Sequence, residues 1–199
     1  MEILRFINLF GFCEMPHLNH RFGLKRPFNY KLIGRLMAHG LIKHKRVFYH
    51  RHGVYWLSKK GASYTDLPPI KNIPLGTYQH SVLLIELYFR LSGQYPEATW
   101  VSERQLIWDK FLEGIGKKGH VADGLLIFPD GKKVSIELEL TLKGLNRAKQ
   151  IFQEHSKQFD IDEVWYFCDD KILPKVAERA AKKPFIKIFS ANEYLNAKS

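Results

Sequence analysis

Three acids, Asp123, Glu137 and Glu139, stand in an otherwise apolar stretch, GHVADGLLIFPDGKKVSIELELTLK. The turn signal Pro129-Asp130-Gly131 divides this stretch into two runs that read as a β-hairpin. Successive strand side chains point to opposite faces, so Ser135, Glu137, Glu139 and Thr141 share one face, and Val134, Ile136, Leu138 and Leu140 share the other. The two glutamates then lie about 7 Å apart along one face, with Asp123 on the neighbouring strand. Carboxylates gathered on a covered strand repel one another unless a cation lies between them. Their oxygens suit a hard divalent ion, Mg2+ or Mn2+. An isolated Glu-x-Glu is more commonly a solvated hairpin face. Here the apolar character of IELELTL points to a central strand covered on both sides.

The elements around the hairpin must position these acids. Upstream, Thr77 to Leu91 reads as an apolar helix capped by Thr77, with Val82, Leu83, Ile85, Leu87 and Tyr88 on its buried face. Ala98 to Trp108 reads as an extended piece or short helix carrying Glu103. Downstream, Leu145 to Phe159 is amphipathic, with Leu145, Ala148, Ile151, Phe152, His155 and Phe159 on its apolar stripe. Val164–Cys168 reads as a buried strand, Leu173 to Lys182 as a helix and Phe185–Phe189 as a further strand. A hairpin followed by strand, helix and strand implies a mixed sheet flanked by helices.

The N-terminal third differs in kind. Residues 1–66 hold 12 Lys and Arg against three Asp and Glu, whereas the rest of the chain holds 19 against 17. Three helices are expected: Ile3 to Cys13 ending near Gly11, Met15 to Phe22 closed by Gly23, and Asn29 to His39 opened by Pro27. The runs Arg46–His50 and Val54–Ser58 flank Gly53 and read as a hairpin. Three helices followed by a basic hairpin is the order of a winged helix-turn-helix, whose third helix would enter a DNA major groove. Asn29, Lys31 and Arg35 would face the bases. Lys43, Lys45, Arg46, Arg51, Lys59 and Lys60 would meet phosphates. The expected organisation is therefore a winged helix-turn-helix over 1–66, a Pro-rich linker over 67–76 and an α/β domain over 77–199, an α+β chain overall.

In D-x13-E-x-E, with Lys143 four residues beyond the last acid, the second domain resembles the PD-(D/E)xK nuclease superfamily, a restriction-endonuclease-like fold. The likeness implies that Asp123 and Glu137 bind a divalent metal, with Glu103 completing its shell. Glu139 occupies the position of the superfamily's lysine, as in some type II restriction endonucleases, and would be a further ligand or orient water. Lys143 would reach the site from the strand end and stabilise charge developing on a phosphodiester. Over nearly the whole chain, the basic winged helix, Pro-rich linker, YQH helix, HVADG, IELELT and VWYF resemble the replication-relaxation family, which includes MobC-type plasmid mobilisation proteins. That likeness implies a nickase acting on double-stranded DNA at a plasmid or mobile-element origin, with mobilisation or replication accessory proteins, or a relative that binds without cutting.

Among the remaining candidates, His120 lies three residues before Asp123 and could approach a scissile phosphate. His50 and His52 flank Arg51 at the wing and fit phosphate contact better than metal binding. His80 reads as a core histidine. Arg147, Lys149 and Lys157 form a solvated helix face that could follow a DNA backbone. No tyrosine stands in a motif that marks a nucleophile. Cys13 and Cys168 are too few for a disulfide framework, and no run reaches transmembrane length or carries a secretory cleavage site, so the expected location is the cytoplasm.

Overall fold

Gly11 imposes the first break in the chain: its φ of 83° ends helix α1 (Glu2–Phe10) and turns the backbone into strand β1 (Phe12–Glu14). The computed structural model describes residues 1–114, 119–156, 158 and 160–196. Among these it has nine α-helices, a three-stranded antiparallel sheet and a five-stranded mixed sheet, an α+β fold. The chain divides into two compact units, Met1–Glu86 and Leu87–Ser199.

In the first unit, β1 leads directly into α2 (Met15–Phe22), whose start is fixed by His17 Nδ1 accepting the Glu14 N–H at 3.1 Å. Helix α3 (Phe28–Ala38) follows, then β2 (Ile42–Lys45), β3 (Val54–Leu57) and a short helix α4 (Lys59–Ala62) capped by Ser58 Oγ. The sheet order is β1-β3-β2. Two points correct the sequence reading. First, Phe12–Glu14 is a strand, too short to show any period. Second, the strand paired with Val54–Leu57 is Ile42–Lys45 rather than Arg46–His50. Lys43, His44 and Lys45 are all exposed on this edge strand, so it lacks apolar alternation. The apolar residues of the following loop pack instead from outside the ladder, Val47 against the Phe12–Val54–Tyr78–Val82 cluster and Phe48 on the Tyr78 ring. That cluster draws the first turns of helix α5 (Tyr78–Gln94) into the first unit, so the division falls inside α5 rather than in the Pro-rich stretch. On α5, Leu84 is buried where Leu83 was expected.

The second unit runs β4 (Thr99–Ser102), α6 (Glu103–Leu112), β5 (Gly124–Ile127), β6 (Lys133–Glu139), α7 (Leu145–Ser156), β7 (Glu163–Cys168), α8 (Leu173–Ala180), β8 (Ile186–Ser190) and α9 (Ala191–Asn196). Strands β4, β5 and β6 are antiparallel. Strands β6, β7 and β8 are parallel, in the order β4-β5-β6-β7-β8. The hairpin turns where expected, with Gly131 at φ 89° and Phe128 N–H bonded to Lys132 O at 2.8 Å. Strand β6 is thus central, and Val134 to Glu139 are all buried. Its Ile136 and Leu138 share a face with Trp165 and Phe167 of β7, which pack against Tyr95 and the α9 residue Tyr194. Its Ser135, Glu137 and Glu139 share the other face with Val164, Tyr166 and Cys168. That face is covered by Phe152 of α7 and by Val176 and Ala180 of α8. The acids therefore lie beneath a helical layer, between sheet and helix. Phe159 and Lys157, assigned to this helix from sequence, lie outside the described residues.

Candidate metal centre

Glu137 is the buried acid around which the site is built. It is 3% exposed, and its Oε1 meets two imidazoles: His120 Nε2 at 2.6 Å and His155 Nε2 at 3.2 Å. His120 arrives on the segment preceding β5, and His155 on the apolar stripe of α7. The three donor groups lie within 4.8 Å of one another. The His120 contact is a hydrogen bond. The His155 contact lies at ion-pair distance without hydrogen-bond alignment, and neither His155 ring nitrogen makes a hydrogen bond. The two rings meet edge to face, with centroids 5.2 Å apart.

His120 is clamped from both sides. Its backbone N–H donates to the Glu154 carboxylate of α7, which Gln150 also holds, and its carbonyl accepts from Lys110 Nζ of α6 at 3.2 Å. Asp123 stands immediately before β5, next to Glu137 in the antiparallel register. Its Oδ2 accepts the Leu138 N–H at 2.8 Å, and its carbonyl accepts the Glu103 N–H at 3.2 Å. Glu139 pairs with the ammonium of Lys143, four residues on and beyond the end of β6.

Charge and burial act in opposite directions here. Burial pushes Glu137 up, but the two imidazoles outweigh it and hold the carboxyl below its ordinary range. Burial pushes His120 down, yet the bond and charge of Glu137, with Asp123 beyond, raise it on balance. Glu139 is raised by burial and by the Glu137 and Asp123 charges, against the opposing pull of Lys143. Burial keeps the Tyr166 hydroxyl on the same face far above its normal value, so it stays protonated.

The structure brings together Asp123, Glu137, Glu139, Lys143 and His120. The Glu103 N–H bonds the Asp123 carbonyl, and among the described residues the donor atoms that converge within 4.8 Å are those of His120, Glu137 and His155. His155 was the residue that sequence reasoning passed over. A histidine on an apolar helical stripe reads as core, and only the parallel β6–β7 crossover sets that stripe over Glu137.

In the first unit, Lys31, Arg35, Lys43, Lys45, Arg46 and Arg51 are exposed, with Arg51 bonded to Gln79 at 2.7 Å. Asn29 is a correction. It is 1% exposed, its Nδ2 donates to Asn19 Oδ1 at 2.9 Å and its Oδ1 accepts the Tyr30 N–H at 2.7 Å. It locks α3 to α2 and has no free face. No helix among the described residues is long and apolar enough to cross a membrane. Comparison with protein-family models, with curated proteins and with solved structures gives no match.

Proposed function

We propose that this chain is a metal-dependent DNA endonuclease or nickase of the PD-(D/E)xK type, acting at a plasmid or mobile-element origin in the manner the replication-relaxation resemblance implies. The observation that carries this reading is a buried carboxylate, Glu137, set among Asp123, Glu139 and Lys143 where an antiparallel hairpin joins a parallel crossover. Asp123 and Glu137 stand side by side on adjoining antiparallel strands, the placement the resemblance implies for the metal-binding acids, and this supports the reading. The donor set also fits a divalent ion: three carboxylates face one ammonium, and Glu137 meets two nitrogen donors.

Glu137 and Asp123 would hold the ion. A bound divalent cation supplies Lewis-acid charge to a phosphodiester and makes water more acidic. Glu139, its proton affinity raised by burial, is suited to take a proton from water. Lys143 presents an ammonium to charge growing on the phosphate. In the first unit, Lys31 and Arg35 on α3 would lie against the duplex, and Lys43, Lys45, Arg46 and Arg51 would contact phosphates, as in a winged helix.

A supercoiled-plasmid assay in Mg2+ or Mn2+ tests this. The wild type is expected to give open circles, and Glu137→Gln to lose at least about 100-fold in rate with duplex binding kept. Equal nicking by the variant overturns the site. A second reading is a DNA-binding regulator or replication accessory protein whose acids no longer cut. The pairing of Glu139 with Lys143 favours it, since that pair satisfies the acid without substrate. No open circles from a folded, DNA-binding wild type would select it.

A further inference from the structure

The two imidazoles carry the site beyond what its carboxylates imply. His155 is 3% exposed, and neither of its ring nitrogens makes a hydrogen bond. Leaving a buried polar nitrogen unsatisfied is unfavourable, and buried polar atoms in folded proteins are normally partnered. His155 Nε2 lies 3.2 Å from Glu137 Oε1, the atom that also receives His120 Nε2, so both rings converge on one carboxylate. Four-coordinate zinc at its usual bond lengths separates neighbouring donors by about 3.3 Å. The His155–Glu137 pair already stands at that spacing. The His120–Glu137 pair, at 2.6 Å, needs to open by about 0.7 Å, and the whole set lies within 4.8 Å.

We propose that His120, Glu137 and His155 form a three-ligand site for a divalent transition metal of the zinc and cobalt class, with a fourth position open on the half-buried His120 side. Two imidazoles and one carboxylate are the donors that such ions take. Mg2+ prefers oxygen ligands and sheds its water reluctantly. Three protein ligands with one vacant position are the pattern of reactive rather than structural zinc. The surroundings support the assignment. Glu154 and Lys110 fix the backbone of His120 from two helices, holding the ring in place as outer partners of metal ligands do. Asp123, beside Glu137 in the strand register, brings a second carboxylate next to the site, so a dication is favoured there. The ligands come from three elements distant in sequence, so a bound ion would tie the segment before β5, strand β6 and helix α7 together.

The proposal rests on the metal-dependent reading above only in sharing Glu137, and it is tested without nicking. Cobalt(II) is titrated into the wild-type chain and followed by its visible ligand-field absorption, with Zn2+ and Mg2+ as competitors. One Co2+ per chain is expected, with a four- or five-coordinate spectrum, erased by equimolar Zn2+ and unchanged by millimolar Mg2+. His155→Gln and His120→Asn should each weaken uptake at least about 10-fold. The unfolding midpoint of the wild type should rise with Zn2+ and that of the variants should not. Should His155→Gln fail to fold, His120→Asn at its half-buried position decides alone. A folded wild type without stoichiometric uptake, or uptake that the folded variants leave unchanged, overturns the site. Nicking in Mg2+ without cobalt uptake overturns this site and leaves the nuclease reading standing. Cobalt uptake without nicking does the reverse.

Discussion

Glu137 and His17 show opposite solutions to burying an ionisable side chain. Glu137 stays charged because two imidazoles face it. His17 stays neutral, because burial, with the nearby charges of His52 and His20, lowers its pKa to about 4. Neutrality is also what its role requires, since Nδ1 must accept the Glu14 N–H. The folded state thus takes up the His17 proton only near pH 4, while the unfolded chain takes it up near 6.5. Between those values the unfolded state binds more protons, so stability falls as pH falls through 6.5 toward 4. From pH 7.5 to 5 the loss attributable to His17 is about 2 kcal/mol. His17→Asn keeps an acceptor oxygen and removes the titration, so urea unfolding should show its stability deficit relative to wild type shrinking at pH 5. Parallel pH dependence of the two proteins would contradict this account.

Strand β6 was legible as an element because its alternation is written in single residues. Glu137 and Glu139 interrupt an apolar run every second position, and the Pro129-Asp130-Gly131 turn fixes where the run begins. The edge strand β2 was misplaced for the complementary reason: its exposed Lys43, His44 and Lys45 carry no period, and the aromatic run beyond it packs from a loop. His155 could be placed on α7 but not over Glu137, because sequence gives a residue's face and not what that face meets. Asn29 shows the same limit. Its position on α3 suggested a reading surface, whereas Asn19 holds it inside. The exposed basic face of α3 is accordingly carried by Lys31 and Arg35. The double variant Lys31→Ala/Arg35→Ala should weaken duplex binding and lower the slope of log affinity against log salt by about 2, with cobalt uptake unchanged. An unaltered slope in a fluorescence-anisotropy titration would remove α3 from the DNA surface.

At the scale of the whole molecule, the two units carry different kinds of charge. The first 66 residues concentrate cations without acids to match, on exposed positions, and suit a polyanion by number rather than by any one contact. The second unit is near neutral in total but holds its acids together under a helical layer, where a buried carboxylate retains its charge because two imidazoles face it. Binding and chemistry should therefore be lost separately, one by substitutions in α3 and the other by substitutions in β6. The most direct test of the central claim is anomalous diffraction from crystals soaked in Mn2+. The account predicts one dominant peak at bonding distance from the Glu137 carboxylate. A Glu137 carboxylate without a peak, or manganese bound only at exposed surface acids, would contradict it.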